Sequence, residues 1–133
     1  MSGIKELSSL LSEMNPKLNE GRYVFTVVDS FFQINFSDIL ASFKEGEHMT
    51  LVLKKEKADI LKLTYEGVFS WITLTVHSSL EAIGLTAAVS KALTEHQISC
   101  NVIAAFYHDH IFIAEHDAKK AMELLKNLSH NSN

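Results

Sequence analysis

Two short stretches of this 133-residue chain concentrate side chains able to bind or transfer: "HSSLEAIGL" at 77–85 and "HDH" at 108–110. Ser78 and Ser79 offer hydroxyls that accept or donate, and the Glu81 carboxylate suits an ammonium group. A helix beginning near Gly84 would leave its first backbone N–H groups unpaired and partly positive, a setting for a carboxylate. Gly84 itself lets a ligand approach the backbone closely. Together with His77, Leu80, Ile83, Leu85 and the turn residues His108, Asp109 and His110, this is chemistry matched to a small zwitterion.

Each residue also has a plainer explanation. Serines ahead of a helix are more often caps than ligand contacts. Asp109 suits a hairpin turn through its own backbone hydrogen bonds, Glu81 suits a solvated loop, and Gly84 suits close helix–sheet packing. Only their joint placement raises them above those readings. His77, His108 and His110 are acceptable zinc ligands, two of them on one side of a strand, but their spacing matches no metal motif. No metal or cofactor is therefore assigned. The chain contains no G-x-S-x-G, no P-loop and no Cys-His-Asn grouping, and Cys100 has no basic neighbour to lower its pKa, so the chain reads as non-enzymatic.

The elements positioning these residues follow from periodicity. Ile4, Leu7, Leu10/Leu11 and Met14 fall at helical spacing until Asn15-Pro16. "YVFTVV" (23–28), "ILASF" (39–43) and "HMTLVLK" (48–54) read as strands, the last two as a hairpin around Lys44–Glu47. A short helix over 55–63 follows. Beyond it come strand 71–76, helix 84–97, strand 101–107, a turn at His108-Asp109, strand 110–114 and a helix over 116–128. "ILASF" matches "VIAAF" (102–106) at an offset of 63 residues, each opening a strand–turn–strand–helix run. The chain thus reads as one β-rich unit used twice, divided into 1–63 and 64–133. The first copy lacks the helix between its first two strands, and helix 4–14 is expected to cover the sheet face so exposed. The second copy is βαββα, a ferredoxin-like order missing its fourth strand. The expected donor is 64–70 or the first half's sheet, so the halves should not separate on cutting near residue 64.

Gly84-Leu85-Thr86-Ala87, then Leu93, Ile98 and Asn101, resemble the glycine, helix, leucine, isoleucine, asparagine pattern of ACT domains. The resemblance is carried most specifically by "EGVFSWITLTVHSSLEAIGLTAAVS" joined to "ISCNVIAAFYHDHIFI". Over the whole chain it is to small free-standing bacterial proteins built from two degenerate ACT units, the second similar to those of eukaryotic cytosolic arginine sensors. It implies an α+β fold of two tandem βαββαβ-type units with helices on one face of antiparallel sheets. It also implies amino-acid binding at the loop before the first helix, with Asn101 carried over. The usual acidic residue, proline and glycine stand here as Glu81-Ala82-Ile83-Gly84, without the proline, and only the second unit keeps the full loop.

Composition bounds the partners. A net charge of −4 with scattered Lys and Arg offers no basic face for nucleic acid. No run of about 18 apolar residues marks a membrane span, and a single cysteine fits a reducing, cytoplasmic setting. The expectation is an amino-acid sensor acting in trans, pairing through edge strands as a homodimer or larger oligomer. A scaffold without a ligand ranks second and a small metal-dependent enzyme third.

Overall fold

The structure is a computed structural model describing residues 6–29, 34–77 and 82–131. Its elements in chain order begin with α1 (Leu7–Glu13), β1 (Pro16–Leu18), β2 (Tyr23–Val28), a 3₁₀ turn (Phe36–Asp38), β3 (Ile39–Glu45), β4 (His48–Lys54) and α2 (Lys55–Ile60). There follow β5 (Phe69–Leu74), α3 (Leu85–Thr94), β6 (Asn101–Ala104), β7 (Asp109–Ala114), a second 3₁₀ turn (Glu115–Asp117) and α4 (Ala118–His130). The local causes are visible in the chain. Pro16 forbids α1 from continuing, and Met14 is already extended. Glu45 faces His48 across a two-residue turn that opens on Gly46 at φ +63°, the left-handed geometry a tight hairpin requires.

Two compact units result: Met1–Glu20 with Ser70–Asn133, and Gly21–Phe69. In the first, the strand order is β1-β5-β7-β6. β1 pairs antiparallel with β5, Pro16 opposite Leu74 and Leu18 opposite Ile72. β6 pairs antiparallel with β7, from Asn101 opposite Phe112 to Ala104 opposite Asp109. Strand alternation turns Ile72, Leu74, Ile111 and Ile113 to one face. There they meet Leu10 and Met14 of α1, Leu85, Val89 and Leu93 of α3, and Ala121 and Leu125 of α4. Burying such a side chain contributes about 1.5–3 kcal/mol each, so this layer dominates the unit's stability.

The fourth strand of the βαββα run is therefore β1, which precedes it in the chain and comes from the first half, not from 64–70. Three residues opening on a proline carry no strand period, and in the sequence Asn15-Pro16 mark only the end of a helix. α1 follows the same correction. Its Leu10 and Met14 belong to the core shared with α3 and α4, not to the sheet of β2–β4. The reason is tethering: Asn15 accepts from the Thr75 backbone N–H at 3.1 Å, and the buried Ser129 hydroxyl of α4 donates to the Met14 carbonyl at 2.7 Å.

The second unit is the antiparallel set β3-β4-β2, with Val24 opposite Leu53 and Phe43 opposite Thr50. Val24, Leu51, Leu53 and Ala58 of α2 make its core. Between β2 and β3 the described residues hold only the 3₁₀ turn, so the unit has the shortened connection expected from the count of residues. The register of β3 against β4 shifts between Ile39 and Ala41, whereas that of β6 against β7 is regular.

Candidate functional site

The loop between β5 and α3 is anchored at both ends. Beyond β5, Val76 is buried and His77 half-buried, while at the far side Ala82 packs against the core and Ile83 is 83% exposed. Ser78, Ser79, Leu80 and Glu81 lie outside the described residues. Gly84 caps α3 at φ +101°, its carbonyl accepting from Ala88 N–H at 2.9 Å, and as a glycine it has no side chain to bond the helix start. The first-turn N–H groups of α3 thus have no intrahelical acceptor. Leu85 turns into the core. A Cβ on Gly84 would stand 3.2 Å from Leu7 Cδ2, so the glycine serves close packing of α1 as well as the turn.

The end of β5 and the turn between β6 and β7 converge, as antiparallel connectivity requires: the His77 ring lies 5.7 Å from that of Tyr107. Beyond this turn the pleat divides the predicted residues. Asp109 alternates with Ile111 and Ile113 and is 7% exposed. His110 lies on the opposite face, where its Nδ1 is 3.0 Å from Trp71 Nε1 and 3.1 Å from Thr73 Oγ1. The His108 ring stands edge-on to it at 6.4 Å. Asn101 sits at the other end of the β6–β7 ladder, its Nδ2 donating to the Phe112 carbonyl at 3.3 Å. Among the described residues no group of three or more His, Cys, Asp and Glu could hold a metal ion.

Electrostatics follow the packing. Burial pushes the His110 pKa below its usual 6.5, the neighbouring His108 adds to the effect and Asp109 opposes it. Burial likewise raises the Cys100 thiol, with a hydrogen bond to Ser90 acting the other way, so this sulfur is held away from its nucleophilic form. Residues that sequence reading did not assign to the site are Asn19, Trp71, Thr73 and Tyr107. Trp71 and Thr73 were legible as the alternate face of their strand, but Asn19 had no signal, because only the pairing of β1 with β5 brings it there.

Comparison with known proteins supplies the family. Two ACT-domain models match in tandem, one over residues 2–70 and one over residues 66–127. The chain belongs to the ACT-domain family. ACT domains are small regulatory modules that bind ligands, and the tandem α+β architecture described above is theirs.

A protein of unknown function from Vibrio cholerae, described as a possible transport protein, is 47% identical. Its structure aligns over 96% of this chain and 99% of its own, with a TM-score of 0.80. Aspartokinase III of E. coli, solved in complex with aspartate and ADP, is 12% identical with a TM-score of 0.61, over 85% of this chain and 32% of its own. The regulatory subunit of aspartate kinase from Thermus thermophilus is 10% identical with a TM-score of 0.57, over 85% and 95%. The likeness to the two kinase structures is one of fold. No curated protein sequence matches the chain.

In ACT terms, the β5–α3 loop is the segment before the first helix of the unit that retains one. No helix among the described residues is long and apolar enough to cross a membrane.

Proposed function

We propose that this ACT protein is an amino-acid-binding sensor that acts in trans in the cytoplasm, with residues 1–63 as its degenerate repeat and 64–133 as the ligand-binding one. The site consists of His77, Ser78, Ser79, Leu80, Glu81, Ile83, Gly84, Leu85 and Asn101, with His108 of the β6–β7 turn and Asp109 and His110 at the start of β7. The observation that carries the reading is the approach of the strand end at His77 to the β6–β7 turn at Tyr107, next to a helix start whose N-cap residue, Gly84, has no side chain to bond its N–H groups. Such a start favours a carboxylate, and the carboxylates of Glu81 and Asp109 favour an ammonium group. Membership of the ACT-domain family, whose modules bind small ligands such as amino acids, supports the ligand class.

A thermal-shift panel of the common amino acids tests this. A specific ligand at one hundred times its Kd stabilises by about 2.7 kcal/mol, and the combined Ser78→Ala, Ser79→Ala substitution should abolish that shift while leaving the unliganded melting point in place. A flat response to every amino acid would remove the sensor reading.

A protein-interaction role is the second reading, favoured by one observation. Phe43 and Phe106 occupy equivalent places in the two repeats, 63 residues apart, and are 72% and 60% exposed. Phe43 lies in β3 opposite Thr50 and Phe106 in the β6–β7 turn, and exposed aromatics of this kind suit a homodimer or larger assembly.

A further inference from the structure

A polar cluster outside the β5–α3 loop is built into the sheet of the unit that carries it. Trp71 and Thr73 of β5, Asn19 just beyond β1 and His110 of β7 meet on the sheet face opposite α3 and α4, since Ile72, Leu74, Ile111 and Ile113 take the alternate positions. Asn19 Nδ2 donates to Thr73 Oγ1 at 2.9 Å and to the Trp71 carbonyl at 3.2 Å, and the Asn19 backbone N–H reaches the same carbonyl at 2.9 Å. An indole N–H can only donate. The Thr73 hydroxyl, having accepted from Asn19, keeps its own proton to give. Both donors therefore converge on Nδ1 of His110, which has a lone pair to offer only in the neutral imidazole with its proton on Nε2.

We propose that His110 is a proton-operated latch: neutral, it ties Trp71 of β5 and, through Thr73 and Asn19, the end of β1 to β7, and protonated, it releases the Trp71 indole. Protonation sets one N–H against another across the 3.0 Å that the hydrogen bond now spans. The Thr73 hydroxyl can rotate to accept, but the indole cannot, so Trp71 is the group that moves. The charged or titratable groups acting on His110 are His108 and Asp109, both from its own strand and the turn before it. β5 and Asn19 contribute neutral groups, Lys17 of β1 stands opposite Thr73 on the same face as a cation but is not among the groups that shift His110, and the residue opposite on β6 is Ile103. Burial and His108 both disfavour the charged ring, so the latch is closed at neutral pH and opens in mild acid, below the ordinary histidine value of 6.5.

Trp71 is the only tryptophan in the chain, so its emission and its indole ¹H–¹⁵N resonance are assigned to it without ambiguity. The intact protein is titrated from about pH 8 to about pH 4.5, across the histidine range, with far-UV circular dichroism recorded in parallel. Both Trp71 signals should move in a single-proton transition centred below 6.5 while the dichroism stays constant. His110→Gln should remove the transition and His108→Gln should retain it. An indole resonance that does not move, or a transition that persists in folded His110→Gln or vanishes in folded His108→Gln, would overturn the proposal. If the variants do not fold, the midpoint of the His110 ring resonance in the unaltered protein decides: coincidence with the Trp71 midpoint supports the latch and separation refutes it.

Discussion

Gly84 performs two tasks that a substitution cannot address separately. It adopts φ +101° at the start of α3 and leaves room for Leu7 of α1. Of the two, the backbone term should decide the cost, because a left-handed residue with a Cβ loses about 1–2 kcal/mol, whereas the 3.2 Å contact is with the movable end of a leucine. Gly84→Ala is thus expected to lower urea stability by that amount, and Gly84 is a poor choice for isolating ligand binding. Ser129→Ala should cost about 1 kcal/mol in the same assay, since it deletes the buried hydrogen bond to the Met14 carbonyl. His110 makes stability depend on pH with a definite sign. Its folded-state pKa is depressed, so the unfolded chain binds the proton more readily. Its contribution is complete above 6.5 and is lost as the pH falls toward the folded-state value. Chemical denaturation at stepped pH should show this slope in the unaltered protein and a flatter one in His110→Gln.

Helix and strand boundaries were largely legible, apart from the β6–β7 hairpin, where the strand expected over 101–107 stops at Ala104 and β7 already begins at Asp109; the remaining exceptions share one cause. β2 and β4 occupy the residues their β-branched and aromatic runs indicated, 23–28 and 48–54, because a strand period of two is written in the side chains. β1 is three residues long and is a strand only by virtue of its partner β5. α1 is amphipathic in sequence, but an apolar stripe does not name the surface it covers, and the covalent link to β1 is what carries it to α3 and α4. Two consequences are measurable. Leu10→Ala, at a side chain with no solvent exposure, should cost about 2–5 kcal/mol by denaturation. A fragment of residues 70–133 should fail to give a dispersed NMR spectrum alone and should gain one when a peptide of residues 6–20 supplies α1 and β1 in trans.

At the scale of the whole molecule, sequence repeats and compact units cut the chain differently. The repeat offset of 63 divides it near residue 64, whereas Met1–Glu20 packs with Ser70–Asn133. A chain nicked between residues 63 and 64 should therefore keep its two pieces together on gel filtration, held by the β1–β5 pairing and the α1–α4 contact, and separate only in denaturant. Light scattering at micromolar concentration tests the proposed homo-oligomer, and a monomeric mass would count against it.

The sequence by itself determined the α+β class, the tandem organisation and the family, because hydrophobic period, turn residues and the Gly84 to Asn101 pattern are local or evenly spaced signals. Tertiary structure alone decided which strand completes the βαββα unit, which core α1 joins, and that Asp109 and His110, adjacent in sequence, are turned to opposite faces of the sheet. The first two depend on pairings between segments more than fifty residues apart, such as Lys17 with Thr73, and the third on the pairing of Asp109 with Ala104 that makes it a residue of β7 and not of the turn. Such pairings are selected by the combined burial and hydrogen bonding of the folded chain, and no single segment encodes them.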